Sequence, residues 1–144
     1  MLLSNKFKLP GIILILAGAG LTVLYFGFDF RFEMPVLAVF SSFTETRFFT
    51  TFGTNFADEL IILLYLAGFS FIIFSKEKTE TELIKKIRSQ ALMKTILTEI
   101  FLYFFVTLFI YGGGFIAFVI MNLFLPYIIY IVIFNVMKYK ASKV

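Results

Sequence analysis

Glu99 is a carboxylate in the middle of an apolar stretch of this chain of 144 residues. Polar side chains flank it at intervals of four residues, at Thr95, Tyr103, Thr107 and Tyr111. A step of four residues advances about 40° beyond one turn of an α-helix, so these groups spiral over one half of the helix surface. The same spacing recurs further along the chain, at Asn122, Pro126 and Tyr130. Two facing spirals predict either a narrow polar path or hydrogen bonds that join the helices.

The candidate proton or cation site of the sequence is the set Glu99, Tyr103 and Asn122. Acids inside membrane spans commonly face the helix bundle and mark ion pathways. However, Glu99 follows Lys94 by only five residues, roughly 7–8 Å along a helix, which leaves it within reach of the lipid head groups. The apolar neighbours also offset the insertion cost of about 3 kcal/mol for a charge at the membrane centre. We therefore favour a structural or interfacial role for Glu99 over ion coupling.

The residues that are missing exclude most catalytic chemistry. The chain has no Cys and no His. Thiol nucleophiles, iron–sulfur clusters, haem ligation by His, and Ser–His or Cys–His catalysis are thereby excluded. Glu99 alone does not form an acid–base pair. The sequence predicts a protein that is not an enzyme, with no catalytic residues, no cofactor and no metal.

The composition is that of a membrane protein. Apolar residues make up 60% of the chain and aromatic residues 20%, against roughly 45–50% apolar residues in soluble domains. Eleven of the 13 Lys and Arg residues fall in the first eight residues, in residues 76–94 and in the last seven residues. Under the positive-inside rule these three segments are cytoplasmic. The net charge of +4 is accordingly assigned to topology, and nucleic acid is not expected as a partner.

Four apolar segments predict an all-α membrane protein, with four transmembrane helices in an antiparallel bundle and both termini inside. The spans cover about 11–26, 60–74, 96–111 and 115–137, within one domain of residues 1–144. Gly112-Gly113-Gly114 predicts a tight outer turn, and Pro126 predicts a kink in the fourth span. Small residues on one face of the first span, Gly11 and Gly18, predict close packing within the chain.

The outer loop, residues 27–59, is rich in Phe and carries a net charge of −3. Phe28, Phe30 and Phe32 alternate with charged residues, which is typical of a half-exposed strand, so the loop includes a candidate β-hairpin. Residues 34–40 form a second apolar piece in which Pro35 marks a turn or an edge. So many Phe side chains predict a loop that lies on the outer membrane boundary or caps the bundle.

Residues 79–94 predict a cytoplasmic amphipathic helix that opens with a capping box from Thr79 to Glu82. No Gly or Pro occurs between Thr79 and Tyr111. The helix therefore either continues into the third span as a stalk or lies on the inner surface and then bends. Its charges that are candidates for cytoplasmic docking or lipid contact are Lys85, Lys86 and Arg88, and setting topology is the alternative role.

Known families of four-span proteins do not fit. Small multidrug exporters need a carboxylate deep in the first span, which this chain lacks, and fluoride channels are rejected as well. Membrane glutathione-transferase-like proteins need Arg within helices, whereas the three Arg residues lie in predicted loops, at Arg31, Arg47 and Arg88.

The chain resembles uncharacterised small four-helix proteins of the bacterial inner membrane. The similarity rests on one motif that follows the second span: Phe74-Ser75-Lys76-Glu77-Lys78, Glu80, Glu82 and Ile87-Arg88. That resemblance implies the topology and no activity.

The leading hypothesis is a non-enzymatic accessory or interaction module of the bacterial inner membrane. The alternative is a subunit of a small oligomeric transporter or channel in which Glu99 binds a proton or cation. The expected partners are the lipid bilayer and either another membrane protein or further copies of this chain.

Overall fold

A computed structural model describes residues 2–42 and 45–143. The chain is 69% helical, as expected for an all-α protein. A short 3₁₀ turn, Asn5–Phe7, leads into α1, Lys8–Phe28. Two strands follow, β1 (Glu33–Ser41) and β2 (Arg47–Asn55), and then four further helices, α2 (Ala57–Phe74), α3 (Glu82–Phe109), α4 (Gly113–Met121) and α5 (Leu125–Ala141).

Within the described residues, three helical segments are long and apolar enough to cross a membrane: Asn5–Phe28, Ala57–Phe74 and Glu82–Phe109. The pair α4 and α5 makes a fourth if the two count as one span, although they are bent by 54°. Only 11–17% of the residues in the three apolar segments are buried inside the protein. Many apolar side chains of α1 and α3 are exposed, for example Leu16, Phe26, Leu97 and Phe101, which is the reverse of a soluble helix bundle.

The helices form two tightly packed pairs rather than one uniform bundle. α1 packs along α2 and α3 along α5, while α2 and α5 touch only lightly. In the first pair Gly11 and Gly18 are buried against α2, which confirms the predicted packing role. A Cβ atom at Gly11 would lie 2.9 Å from the carbonyl oxygen of Gly68, so the two backbones are in direct contact.

α3 is one continuous helix from Glu82 to Phe109, which agrees with the alternative in which the helix of residues 79–94 continues into the third span. Four residues form the core between α3 and α5: Ile87, Ala91, Tyr130 and Phe134.

The predicted capping box is wrong, because the N-cap is Thr81, whose Oγ1 accepts a hydrogen bond of 3.3 Å from the backbone N–H of Ile84. Arg88 lies within this helix and not in a loop.

The predicted fourth span, 115–137, is not one helix. α4 ends at Met121, and 3₁₀-type hydrogen bonds from Leu123 to Ile120 and from Phe124 to Met121 turn the chain before α5. Pro126 is the second residue of α5, not a kink within a helix. Proline has no N–H to donate and is tolerated in the first helical turn, so it begins α5 after the break. The predicted turn before α4 is confirmed, with Gly112 at a φ of 65°.

The outer loop contains a two-stranded antiparallel hairpin, in a different place from the predicted alternation. Phe28 ends α1, and Asp29 adopts the left-handed conformation as its C-cap. The paired residues begin at Glu33, opposite Asn55, and end at Ser41, opposite Arg47. The strand thus covers the second apolar piece, 34–40. Phe43, a Phe of the predicted loop, lies outside the described residues.

Candidate functional site

Glu99 lies on the packed face of α3. Four of the five buried residues of this helix recur every four positions, at Ile87, Ala91, Thr95 and Glu99. This spacing keeps them on the side that faces α5. Glu99 is only 9% exposed, so its carboxylate is inside the protein and not on its surface.

The structure brings the three predicted site residues together. The side-chain Nδ2 of Asn122 donates to Oε2 of Glu99 at 2.8 Å. The hydroxyl of Tyr103 donates to Oδ1 of Asn122 at 2.9 Å. Asn122 holds this position because it is the C-cap of α4, at the break where the backbone turns toward α5. A hydrogen-bonded chain therefore runs from Tyr103 through Asn122 to Glu99.

One oxygen of Glu99 remains without a partner. Oε1 is buried, and no hydrogen bond to it is present among the described residues. Burial of a polar atom without a hydrogen bond costs about 1–3 kcal/mol, and more when the group is charged. Native proteins pair almost all such atoms, so this oxygen is the strongest chemical signal in the site.

An open groove of about 470 Å³ has Glu99 among its lining residues. It runs from the C-terminal end of α2 along α3 to the break between α4 and α5. The walls are almost entirely apolar or aromatic, and the lining residues are Ile73, Phe74, Leu92, Thr95, Ile96, Glu99, Ile100, Tyr103, Asn122, Pro126, Tyr127 and Tyr130. Glu99 is the one acidic group among them.

The three residues predicted for cytoplasmic docking or lipid contact, Lys85, Lys86 and Arg88, do not share one environment. Lys85 and Lys86 are exposed, and Lys85 forms an ion pair of 2.7 Å with Glu82. Arg88 instead faces inward, where it donates to the carbonyl oxygens of Ile73 at 2.8 Å and Ser75 at 3.3 Å. These carbonyls lie at the C-terminal end of α2, where a cation offsets the helix dipole.

Arg88 is held from two further sides. Its guanidinium lies 3.4 Å from a carboxylate oxygen of Glu80 and 5.3 Å from the centre of the Phe134 ring. It therefore joins α2 to α3 and α5. The motif that carried the family resemblance, from Phe74 to Arg88, forms this junction.

A second polar cluster joins the basic segments of the chain at one end of the molecule, called here the basic end. Glu77 accepts hydrogen bonds from Lys8 and, at 2.6 Å, from Lys138. Burial, the largest influence, raises the pKa of Glu77, but the hydrogen bonds from the two lysines outweigh it and hold the pKa below its usual value. Sequence reasoning missed this cluster, because its members are about 60–70 residues apart.

The described residues contain no group of three His, Cys, Asp or Glu side chains that could hold a metal ion. The chain matches no protein-family model, no curated protein and no solved structure. The chemistry of the site is that of one carboxylate supported by an amide and a phenol. Such a set can bind a hydrogen-bond donor or a cation.

Proposed function

We propose that the protein is a multi-pass protein of the bacterial inner membrane with four spans, in which α4 and α5 together make the fourth. Both termini are then cytoplasmic. Support comes from the basic end, where Lys8, Glu77 and Lys138 hold the start of α1, the loop after α2 and the end of α5 together. The positive charges gathered there fit the side on which membrane proteins retain Lys and Arg.

The length of α3 fits this arrangement. Its 28 residues span about 42 Å, which exceeds a hydrocarbon core of about 30 Å. The surplus lies at the basic end, where Lys85 and Lys86 are exposed. The first turns of α3 then extend into the cytoplasm as a stalk.

Within this membrane, the protein acts as a non-enzymatic accessory or interaction module. The observation that carries this proposal is the hairpin, which exposes Phe40, Phe48 and Phe49 at 58%, 66% and 74%. An isolated two-stranded hairpin is marginally stable in water and needs a surface to pack against. An exposed aromatic cluster outside the spans is typical of a contact with a partner protein or with the membrane surface. The exposed pair Lys85 and Lys86 supplies a second contact surface at the basic end.

Purification in lipid discs from the native membrane tests this function. We expect a partner in fixed stoichiometry, either another protein or further copies of the chain. Photocrosslinkers at Phe48 and Phe49 should capture the same partner, because these side chains point away from the protein. The variant Phe48→Ser should lose most of this partner, whereas the matched hairpin variant Thr51→Ser should retain it. A monomer with crosslinks to lipid alone would contradict the proposal.

A second candidate function is a subunit of a small oligomeric transporter or channel, and the unpaired Oε1 of Glu99 favours it. Transporters often place ion sites at breaks in their helices, and Asn122 lies at such a break, between α4 and α5. The test is proton or cation flux in liposomes that contain the purified protein. Flux that Glu99→Gln removes and Glu59→Gln preserves would support this function, since Glu59 is exposed at the start of α2. Absence of flux in the unmodified protein would exclude it.

A further inference from the structure

An open pocket of about 730 Å³ lies at the basic end, between the start of α1, the loop after α2 and the end of α5. Its lining residues are Asn5, Lys6, Lys8, Leu9, Ile12, Glu77, Lys78, Thr79 and Lys138. Four of them are lysines and one is a glutamate, so the lining carries a net charge of +3. The volume is within the range of roughly 300–1,000 Å³ that is usual for small-molecule sites, and the charge favours an anionic ligand.

Three hydrogen bonds hold two walls of this pocket together. The backbone N–H of Leu3 donates to the carbonyl oxygen of Phe74 at 2.8 Å, and the N–H of Lys76 donates to the carbonyl oxygen of Leu3 at 2.9 Å. The side-chain Nδ2 of Asn5 donates to the carbonyl oxygen of Lys76 at 2.8 Å. The segment before α1 is therefore fixed against the loop after α2. A ligand then enters a preformed site and does not have to order it, which favours binding.

The lysines of the pocket retain N–H donors for a ligand. An ammonium group has three donors, and Lys8 and Lys138 each use one on a different oxygen of Glu77. The side chains of these two lysines stay 29% and 41% exposed. Lys6 and Lys78 are exposed, and their side chains form no hydrogen bond or ion pair within the described residues. These two are therefore the main donors, and the lysines held by Glu77 add positive charge beside them.

The pocket is apolar on the side of α1. Leu9 and Ile12 line it and are 65% and 48% exposed. They are three residues apart and so share one face of the helix. From Lys8 to Ile12 the helix rises only about 6 Å. The ligand must therefore carry a negative group and an apolar part within a few ångströms of each other.

We propose that this pocket binds an anionic phospholipid of the cytoplasmic leaflet. The phosphate accepts hydrogen bonds from Lys6 and Lys78, and the first carbons of an acyl chain lie along Leu9 and Ile12. Basic pockets at the cytoplasmic ends of membrane helices bind phosphate head groups in this way. The inference rests on the membrane placement proposed above, with the basic end in the cytoplasm, and it does not depend on the accessory role.

Other ligands match the pocket less well. Inorganic phosphate or a soluble polyanion pairs with the lysines but makes no contact with Leu9 and Ile12. A zwitterionic phospholipid contacts both, yet its own ammonium group opposes the attraction between its phosphate and the lysines. An anionic phospholipid matches the charged side and the apolar side together.

Native mass spectrometry measures this binding on protein released from discs of mixed phosphatidylcholine and phosphatidylglycerol. We expect one phosphatidylglycerol to be retained per chain, in preference to phosphatidylcholine. Equal retention of the two lipids would overturn the proposal. Inorganic phosphate added to the discs should not displace the lipid. Displacement by millimolar phosphate would assign the pocket to a soluble anion and would also overturn it.

Two double variants locate the site. Lys6→Gln with Lys78→Gln removes the two unpaired lysines and keeps both ion pairs of Glu77. It should weaken retention of phosphatidylglycerol about tenfold, because each lysine near an anionic head group contributes several-fold to affinity. Lys140→Gln with Lys143→Gln is the matched control, since it removes two charges near the end of α5 that do not line the pocket. Its retention should be unchanged.

Equal losses from the two double variants would show that overall charge alone attracts the lipid, and would overturn the proposal. Unchanged retention by the variant that lacks Lys6 and Lys78 would overturn it too. Circular dichroism and elution volume confirm that each variant is folded.

Cysteine labelling tests the membrane placement separately. The chain has no Cys, so Ser142→Cys, directly after α5, provides a single thiol. A membrane-impermeant maleimide should label it in inside-out vesicles and not in right-side-out vesicles. The opposite pattern would overturn both the orientation and the cytoplasmic location of the site. Binding in discs does not depend on orientation, because discs are open on both faces, so failed binding with the expected labelling would overturn this inference alone.

Discussion

The side-chain amide of Asn122 donates to Oε2 of Glu99 at 2.8 Å, across the space between the helix break and the buried face of α3. The contact joins two residues that are 23 positions apart in the chain. It leaves Oε1 of the same carboxylate without a partner among the described residues. The hydrogen bond therefore connects the break between α4 and α5 to the acid on α3.

Asn122→Ala should destabilise the protein, because it removes the donor to Oε2 and leaves both oxygens of Glu99 unpaired. We expect a loss of about 1–3 kcal/mol in unfolding free energy, which is typical when a buried acceptor loses its partner. Denaturation in lipid discs, followed by circular dichroism, measures it. Asn135→Ala is the matched control, since Asn135 is exposed and donates only to Ile131 in its own helix. Equal stability of the two variants would show that the contact contributes nothing.

A double-mutant cycle isolates the pair. If Asn122 acts through Glu99, the loss caused by Asn122→Ala should shrink when Glu99 is already replaced by Leu, an apolar residue that needs no donor. Additive losses would assign the effect of Asn122 to the helix break and not to the hydrogen bond.

Gly68→Ala should separate α1 from α2. The added Cβ would lie 2.7 Å from the side chain of Ile15 and 2.9 Å from the carbonyl oxygen of Gly11. The backbone of Gly11 cannot move aside as a flexible side chain can. Overpacking of this kind costs about 1–3 kcal/mol, measured as a lower midpoint of thermal unfolding. Gly20→Ala is the control, because a Cβ there meets no atom within 4 Å. It should be neutral or stabilising, since Ala favours helix over Gly.

Glu77 should make stability depend on acid pH. Burial raises the pKa of Glu77. The hydrogen bonds from Lys138 and Lys8 together lower the pKa by more than burial raises it, so the pKa lies below the reference value of 4.5. A carboxylate whose folded pKa is below its unfolded pKa contributes stability above the unfolded value, and loses it as pH falls through the folded value. We therefore expect the midpoint of thermal unfolding to be steady near neutral pH and to fall below about pH 4.5.

The variant Glu77→Gln should be less stable at neutral pH and should lose part of that acid dependence. Glu82→Gln is the control, because the Glu82 side chain is 89% exposed and pairs only with Lys85 on the surface. If Glu77→Gln and the unmodified protein show the same dependence on pH, another carboxylate is responsible.

Arg88→Lys should not replace arginine, although the charge is retained. The guanidinium contacts the carbonyls of Ile73 and Ser75 and the carboxylate of Glu80 together, and a single ammonium group cannot reach all three. We expect a loss of about 3 kcal/mol for Arg88→Gln, as for other broken buried pairs. A smaller loss is expected for Arg88→Lys. Lys86→Gln, on the exposed face of the same helix, should change the unfolding free energy little; a loss as large as that of Arg88→Gln would refute the specific role of Arg88.

Two elements show why local patterns misled. Phe28, Phe30 and Phe32 alternate with charges as a strand does, yet Phe28 is helical because the apolar run of α1 continues through it. Thr79 and Glu82 match a capping box, but Thr81 caps α3, because Arg88 and Glu80 hold the preceding loop at the end of α2. In the second case tertiary contacts outweighed a local capping preference worth about 1 kcal/mol.

The amino-acid sequence by itself determined the helical class, the apolar helices and the placing of Glu99 and Tyr103 one turn apart on the same helix. These follow from composition and from a spacing of four residues, and both are local properties of the chain. Only the tertiary structure decided that α4 and α5 are separate helices and that Asn122, at their break, meets Glu99. It also decided that the backbones of Gly11 and Gly68 are in contact and that Arg88 binds the last carbonyls of α2 instead of being exposed. Such outcomes depend on which atoms meet across 13 to 57 residues of chain. Hydrogen-bond geometry and close packing settle them only once the helices are in place.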